Sequence, residues 1–248
     1  MNNESPQLSD IEAKIISNNA KISELLAENE NLLRQAGFDP PAINFAPKTK
    51  ERIHLPTGYI RRKKYYVEKY KLNEFFHNNK VVVSNVAYSL QMSDLYNFLM
   101  CRFYVFGSLE TMIYKAAIIN FVCIIESLIG QVFDDMHSYC LTCSEQHHCK
   151  YYLSKTKTFS EKIIAIEKRN LLRLTHEQYK LIREAYHLRN HMHIYSVANV
   201  ENEAASKTFN LNLHNNIVRI TQQITATLYN DMFPATKNCY KKINCKDD

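Results

Sequence analysis

Glycine and proline are scarce in this chain and tryptophan is absent: the 248 residues include only 4 glycines and 6 prolines, and most of the prolines precede residue 57. Because glycine and proline mark turns and interrupt helices, so low a content is typical of a mostly helical protein with few breaks. The sequence contains no GxxxxGK phosphate loop, no GxGxxG motif and no GxSxG nucleophile elbow. These absences exclude P-loop NTP hydrolysis and α/β-hydrolase chemistry.

An uninterrupted apolar run and a targeting signal are also missing. The longest apolar run, residues 116–133, contains Asn120, Glu126 and Gln131, which favours a buried core helix over a transmembrane span. The first residues are polar and acidic, without the apolar segment of a signal peptide. The 7 cysteines, without such a signal, are typical of a reducing compartment. The sequence therefore predicts a cytoplasmic protein with no membrane partner.

The apolar residues that are present follow a helical period. They make up 46% of the chain, as in globular proteins, and show no two-residue alternation long enough for a sheet. The sequence predicts an all-α bundle, with helices near residues 59–76, 81–106, 109–137, 159–173, 175–196 and 212–232. The predicted segments are an N-terminal coiled-coil helix (1–37), a basic linker with a Tyr/Lys-rich helix (38–77), the bundle (78–233) and a basic C-terminal tail (234–248).

Residues 8–36 have the heptad pattern of a coiled coil. The core positions, alternately four and three residues apart, are Ile11, Ile15, Asn18, Ile22, Leu25, Asn29, Leu32 and Ala36. Asn29 occupies an a position, where a buried amide pairs best with its own copy and favours a parallel dimer in one register. The pattern predicts a homodimer formed through this helix. The alternative is an amphipathic helix that lies back on its own domain.

Charge is unevenly distributed along the chain, whose formal net charge is +6. Basic residues far outnumber acidic ones in residues 48–71 and 150–173, and tyrosines are interspersed with the first of these blocks. Such blocks are typical of surfaces that bind a polyanion. The residues predicted to contact RNA are Arg61, Arg62, Lys63, Lys64 and Lys69. The alternative is the solvated face of a mildly basic protein.

A polar insertion predicted at residues 138–156 carries closely spaced soft metal ligands. Thiolates and imidazoles in this segment are numerous enough for tetrahedral zinc. The predicted ligands are Cys140, Cys143, His148 and Cys149, with His147, Cys239 or Cys245 as alternatives for the fourth position. A structural zinc is predicted on this basis, with ordinary reduced thiols as the alternative, and no metal is expected for catalysis.

The residues with the most chemical potential lie between His187 and Tyr195, inside an amphipathic helical pattern. Arg189 and His193 are four positions apart and so lie on the same helix face. A guanidinium that holds an anion beside an imidazole that moves protons suits phosphate chemistry. An arginine at the border of a core needs a partner, and Glu126, on the apolar face of the central helix, is the expected one. The alternative is an inert buried ion pair that fixes helix register.

The sequence Arg189-Asn190-x-x-His193 resembles the motif of the HEPN superfamily of small all-helical bundles. The resemblance implies a HEPN-like bundle over residues 78–233, in which the motif helices of two protomers meet at a metal-independent ribonuclease site. It also implies catalytic roles for Arg189, Asn190 and His193, with Glu126 orienting the arginine. Three residues separate Arg189 from His193, whereas the family's catalytic form has four to six; the shorter RNxxH form also occurs in HEPN-like proteins.

The function implied by this resemblance is that of an RNA-acting protein, and more narrowly a metal-independent endoribonuclease. Such an enzyme would serve as a toxin or defence effector, with a cognate antitoxin or effector partner. Two alternatives stay open. One is a non-catalytic module, dimerised by its coiled coil, that binds nucleic acid or a partner protein. The other is a purely structural bundle, so the sequence alone does not decide whether the protein is an enzyme.

Overall fold

The structure, a computed structural model, is all-helical, and no strand occurs in the residues it describes: 8–37, 57–142, 152, 158–190 and 207–228. The predicted all-α class is therefore confirmed. The chain divides into two compact units, Met1–Leu55 and Pro56–Asp248. The helices are α1 (Leu8–Gln35), a 3-10 turn (Thr57–Tyr59), α2 (Lys63–Lys69), α3 (Leu72–Phe75), α4 (Lys80–Arg102), α5 (Ser108–Thr142), α6 (Phe159–Lys168), α7 (His176–Asn190) and α8 (Leu211–Thr227).

Helix α1, in the first unit, matches the predicted N-terminal helix. It ends just before Gly37, which has a φ of +88° that L side chains rarely adopt. The Gly37 N–H donates to the Arg34 carbonyl at 3.0 Å. The heptad positions Ile15, Ile22 and Leu25 are 39%, 51% and 59% exposed. The apolar stripe is therefore uncovered within this unit, and its pairing with a second copy stays a prediction.

Helix α5 is the centre of the second unit. It packs against α4, α6, α7 and α8, and its buried residues extend from Ala117 to Cys140. By length and composition alone α5 could cross a membrane, but 56% of its most apolar 18-residue window is buried inside the bundle. That burial results from the apolar faces of four neighbouring helices, since a helix that is apolar nearly all round needs cover on every side.

The predicted basic helix over residues 59–76 is broken, and it belongs to the bundle instead of a separate linker segment. Lys71 has a left-handed φ of 45°, which ends α2 and redirects the chain into the short helix α3. The break lets Leu72 and Phe75 follow Tyr66 into the core, where each is at most 4% exposed. Helix α2 packs along α4, so its basic residues are held on a folded scaffold.

Two other predicted boundaries differ from the structure. The predicted helix 159–173 ends at Lys168, because Asn170 and Arg173 have positive φ values of 46° and 52°. The polar insertion predicted to start at residue 138 starts later, since α5 continues to Thr142. The beginning of α6 is fixed by a capping box, in which Thr158 and Glu161 each accept a hydrogen bond from the other's backbone N–H.

Candidate functional site

The predicted pairing of Glu126 with Arg189 is present. Glu126 lies on α5, and Arg189 lies in the last turn of α7, which packs against α5. Nη2 of Arg189 lies 3.2 Å from Oε2 of Glu126. The pair therefore joins α5 to α7, the helix that carries the Arg189-Asn190 motif. It places a guanidinium near the carboxyl end of α7.

This ion pair is more exposed than expected. Glu126 was predicted to share the apolar face of α5, yet both side chains are 32% exposed to solvent. Glu126 lies at the edge of the apolar stripe, beside the buried Val122 and Ile129, so its carboxylate reaches water. The pair is therefore partly open to solvent and not fully buried.

Further contacts hold the Arg189 side chain. Its Nη1 donates to Oδ1 of Asn190 at 3.1 Å, and its guanidinium carbon lies 5.7 Å from the ring centroid of Tyr186. Asn190, predicted to position a phosphate or a histidine, is exposed and contacts the arginine itself. His193 lies outside the described residues. Glu126, Asn190 and Tyr186 thus surround the guanidinium on three sides and leave part of it to solvent.

The basic residues of α2 form a surface of cations and aromatic rings, which we call the α2 surface: Arg62, Lys63, Lys64 and Lys69, with Tyr65, Tyr70 and Tyr88. Nζ of Lys63 lies 4.5 Å above the ring centroid of Tyr88, and Nζ of Lys69 lies 5.3 Å and 5.4 Å from those of Tyr65 and Tyr70. Lys64 forms an exposed i,i+4 contact with Glu68 at 3.5 Å. Arrays of this kind can contact phosphates and stacked bases.

Arg61, predicted to contact RNA with its neighbours, has a different role. Its Nε donates to Oδ2 of Asp94 at 2.8 Å, its Nη2 pairs with Oδ1, and its backbone N–H donates to Oδ2 at 3.1 Å. The Tyr66 hydroxyl also donates to Oδ2 of Asp94. The Asp94 side chain is only 9% exposed. Arg61 therefore neutralises a nearly buried carboxylate and anchors the chain before α2 to α4.

The pKa values in this network follow from the same contacts. The hydrogen bond to Asp94 raises the pKa of Arg61 above its ordinary value, and burial together with Asp94 raises the pKa of Tyr66. Burial alone would raise the pKa of Asp94, but hydrogen bonds from Arg61 and Tyr66 outweigh it and hold the pKa below 3.8. Asp94 is accordingly a carboxylate at neutral pH.

Sequence reasoning missed Asp94, although a signal was there. Asp94 is the one acidic residue in α4, and it lies four and seven positions after Leu90 and the buried Ala87, on the same helix face. A lone carboxylate on an apolar face was the reason for selecting Glu126 on α5. The same criterion applied to α4 identifies Asp94, but not its partner, which lies 33 positions away.

Of the four predicted zinc ligands, only Cys140 lies in the residues that the structure describes, so the zinc site stays a prediction. Cys140 lies in the last turns of α5, is 8% exposed and belongs to the hydrophobic core. Cys140 therefore lies in a helix and not in the predicted loop, because α5 continues to Thr142. Cys143, His148 and Cys149 lie outside the described residues. Within those residues no group of three or more His, Cys, Asp or Glu side chains could hold a metal ion.

The chain matches no protein-family model, no curated protein and no solved structure. The function must therefore be inferred from the chemistry of the residues themselves.

Proposed function

We propose that this protein acts on RNA as a metal-independent endoribonuclease, with Arg189 and His193 as its catalytic residues. The observation that carries the proposal is the Glu126–Arg189 pair: a guanidinium held by a carboxylate at 3.2 Å, with both side chains about a third exposed. A carboxylate that is a third exposed is still partly hydrated, so it has less need of a guanidinium than the nearly buried Asp94 has, and the pair adds little to stability. An arginine that receives a phosphate needs both a fixed position and an open side.

In the proposed chemistry, His193 accepts the proton of a ribose 2′-hydroxyl, whose oxygen attacks the adjacent phosphorus. The bond to the 5′-oxygen breaks, that oxygen takes a proton from water and leaves as a hydroxyl, and a 2′,3′-cyclic phosphate remains. His193 returns the proton that it accepted to solvent. Arg189 donates hydrogen bonds to the phosphate oxygens as their charge grows, while Glu126 and Asn190 hold the guanidinium. The motif helices of two protomers would supply one shared site, as the HEPN resemblance implies, and the role of toxin or defence effector follows from that resemblance too.

The α2 surface supports the RNA-binding part of the proposal. Lys63 and Lys69 lie against tyrosine rings, whereas Arg62 and Lys64 extend into solvent. We expect Arg62→Glu with Lys64→Glu to weaken RNA binding and to reduce its dependence on salt, because fewer counterions are released on binding. Both substitutions spare the Arg61–Asp94 pair, so the fold should be unaffected.

A second function, favoured by α1, is that of a non-catalytic module that binds nucleic acid or a partner protein as a coiled-coil dimer. The exposed Ile15, Ile22 and Leu25 are apolar surface that a second copy would cover. Deletion of residues 1–37 should convert a dimer into a monomer in light scattering. An unchanged mass would assign any dimerisation to the other unit.

The decisive experiment incubates the full-length protein with total RNA and with a tRNA pool in the presence of chelator. The expected products carry 2′,3′-cyclic phosphate and 5′-hydroxyl ends. His193→Ala should abolish cleavage and leave RNA binding intact. The matched control is His187→Ala, which removes an exposed imidazole from the same region of the chain and should cleave normally.

Two outcomes would contradict the proposal. Wild-type protein that leaves both RNA pools intact would favour the binding module. Cleavage that persists in His193→Ala would assign the activity to other residues or to a contaminating nuclease.

A further inference from the structure

A cleft opens between α2, α4 and α8, on the side of α5 that carries Phe121. Its volume is about 480 Å³, within the range of about 300–1,000 Å³ that is usual for small-ligand sites. Phe121 is 7% exposed and forms the floor together with the half-buried Leu90 and Val218. The Arg61–Asp94–Tyr66 network forms one wall. The cleft therefore combines an apolar floor with polar walls.

The shape of the cleft selects a compact ligand. Beyond Tyr70, Leu90 and Thr225, in the described part of the chain, the cleft borders an apolar recess of about 20 Å³, which is roughly the space of one water molecule. A long alkyl chain would need an apolar tunnel into the core, and this recess is too small for one. A flat ring system that lies on the floor fits the cleft better.

The rim supplies hydrogen-bonding groups on two facing walls. Asn97 is on α4 and Gln222 is on α8; both are exposed, and neither amide bonds to another described residue. Each amide offers a donor and an acceptor, the combination with which asparagine and glutamine recognise the edge of a nucleobase. The walls thus carry unused amides above an apolar floor.

The charge at the rim favours a phosphate. Among the lining residues, Arg61 is neutralised by Asp94, whereas Lys69 has no carboxylate partner among the described residues. Its ammonium lies against the rings of Tyr65 and Tyr70, 5.3 Å and 5.4 Å from their centroids. A monoanionic or dianionic group at the mouth would therefore meet an uncompensated cation beside aromatic rings.

From this arrangement we infer that the cleft binds one nucleotide unit, with its base on the Phe121 floor between the amides of Asn97 and Gln222 and its phosphate at Lys69. The nucleotide is either a free nucleoside monophosphate or an unstacked residue of single-stranded RNA. The second source rests on the RNA binding proposed above, and the first does not.

The cleft is separate from the proposed cleavage site. Phe121 and Glu126 are five positions apart on α5, so they point in directions roughly 140° apart about the helix axis. The cleft is lined by α8, whereas Glu126 pairs with α7. Binding in the cleft and cleavage at Arg189 can therefore be lost independently.

The test titrates the full-length protein by calorimetry with AMP, GMP, CMP and UMP, and in parallel with adenosine and inorganic phosphate. At least one mononucleotide should bind once per chain, about tenfold or more tighter than either part alone, since base and phosphate are both recognised. Asn97→Leu, Gln222→Leu and Lys69→Met should each weaken that binding about tenfold. Lys80→Met on α4 and Asn212→Leu on α8 are the matched controls, because both residues are exposed and neither lines the cleft.

A single-stranded oligoribonucleotide distinguishes the two sources. If RNA supplies the nucleotide, Gln222→Leu should weaken oligonucleotide binding and the mononucleotide should compete; if not, oligonucleotide binding should be unchanged. The inference is overturned if no mononucleotide binds at millimolar concentration, or if the control substitutions weaken binding as much as the cleft substitutions. RNA cleavage is measured with the same proteins and tests the proposed function separately. If nucleotides bind but no RNA is cleaved, the endoribonuclease proposal fails and the inference about the cleft stands.

Discussion

Two of the arginine–carboxylate pairs in the bundle, Arg61–Asp94 and Arg189–Glu126, differ in the burial of the carboxylate and in the number of hydrogen bonds that it receives. Asp94 is 9% exposed and receives two side-chain contacts from Arg61, a backbone N–H and the Tyr66 hydroxyl. Glu126 is 32% exposed and is joined to Arg189 at 3.2 Å. The first pair crosses from the start of α2 to α4, and the second crosses from α5 to α7.

The difference separates a structural role from a functional one. A nearly buried carboxylate is tolerated only when several donors compensate for its lost hydration, and the donors around Asp94 are committed to that task. The Glu126–Arg189 pair, with both side chains a third exposed, contributes little to the free energy of unfolding, because water competes with both partners. The guanidinium of Arg189 therefore has N–H groups that can donate hydrogen bonds to a ligand. The pair with fewer contacts is therefore the better candidate for chemistry.

The largest effect is expected from Arg61→Met, which leaves Asp94 in place without its guanidinium. The substitution should lower the free energy of unfolding by about 2 kcal/mol, less than for a fully buried pair, because the Arg61 side chain is 48% exposed and water can partly replace it. Urea unfolding followed by circular dichroism measures it. Arg62→Met, at the adjacent exposed position, should change stability by less than about 0.5 kcal/mol.

A second substitution tests whether the loss of stability in Arg61→Met comes from the unpaired charge of Asp94. Arg61→Met combined with Asp94→Asn should recover most of the loss, because a neutral amide needs no counter-charge and still accepts the Tyr66 hydroxyl. If the double variant is as unstable as Arg61→Met, the guanidinium acts through packing and not through the charge of Asp94.

Lowering the pH should reduce the stability of the fold by an intermediate amount. Since hydrogen bonds hold the pKa of Asp94 below 3.8, its contribution to stability is complete above that value and is lost only as the pH falls below it. His214 is 5% exposed, and within the described part of the chain neither ring nitrogen has a partner in good hydrogen-bond geometry. Burial lowers its pKa from 6.5, so the unfolded chain takes up the proton first and stability should fall as the pH drops through 6.5.

Thermal unfolding at neutral pH and near pH 5 should therefore show a loss of stability that comes from His214 and not from Asp94. His214→Phe, which suits the rings of Tyr114 and Phe121 around it, should remove much of that loss. Asp94→Asn should leave the size of the loss in this pH window unchanged. The opposite pattern would show that the Arg61–Asp94 pair already weakens well above pH 4.

The sequence was sufficient for the helical class and for the Glu126–Arg189 contact, because helical period and a lone carboxylate on an apolar face are local signals. It was insufficient where the outcome depends on tertiary packing. Lys71 breaks the basic helix because Leu72 and Phe75 gain burial in the core. Cys140 is in the core and not in a loop, because α5 extends beyond the end predicted at residue 137. The sequence has no glycine or proline there to show where the helix ends.

The degree of exposure was the other quantity that sequence could not supply. Asp94 and Glu126 look alike in sequence, each an acid on an apolar helix face. The neighbouring helices decide that one is enclosed and the other reaches solvent. No residue within α4 or α5 encodes that difference by itself.

The smallest effect on stability, and the sharpest contrast, is expected from the second pair. Glu126→Gln and Arg189→Lys should each change the free energy of unfolding by less than about 1 kcal/mol, since both side chains are a third exposed. Arg189→Lys keeps the charge but not the fork of N–H donors, so an ammonium cannot hold Glu126 and a phosphate with the same geometry. It should therefore abolish RNA cleavage while urea unfolding stays near that of the wild type. A loss of stability as large as that of Arg61→Met would instead make the Glu126–Arg189 pair a structural contact. In that case the comparison between the two pairs fails, because the exposure of the carboxylate would no longer distinguish the pair that supports the fold from the pair that is available to a ligand.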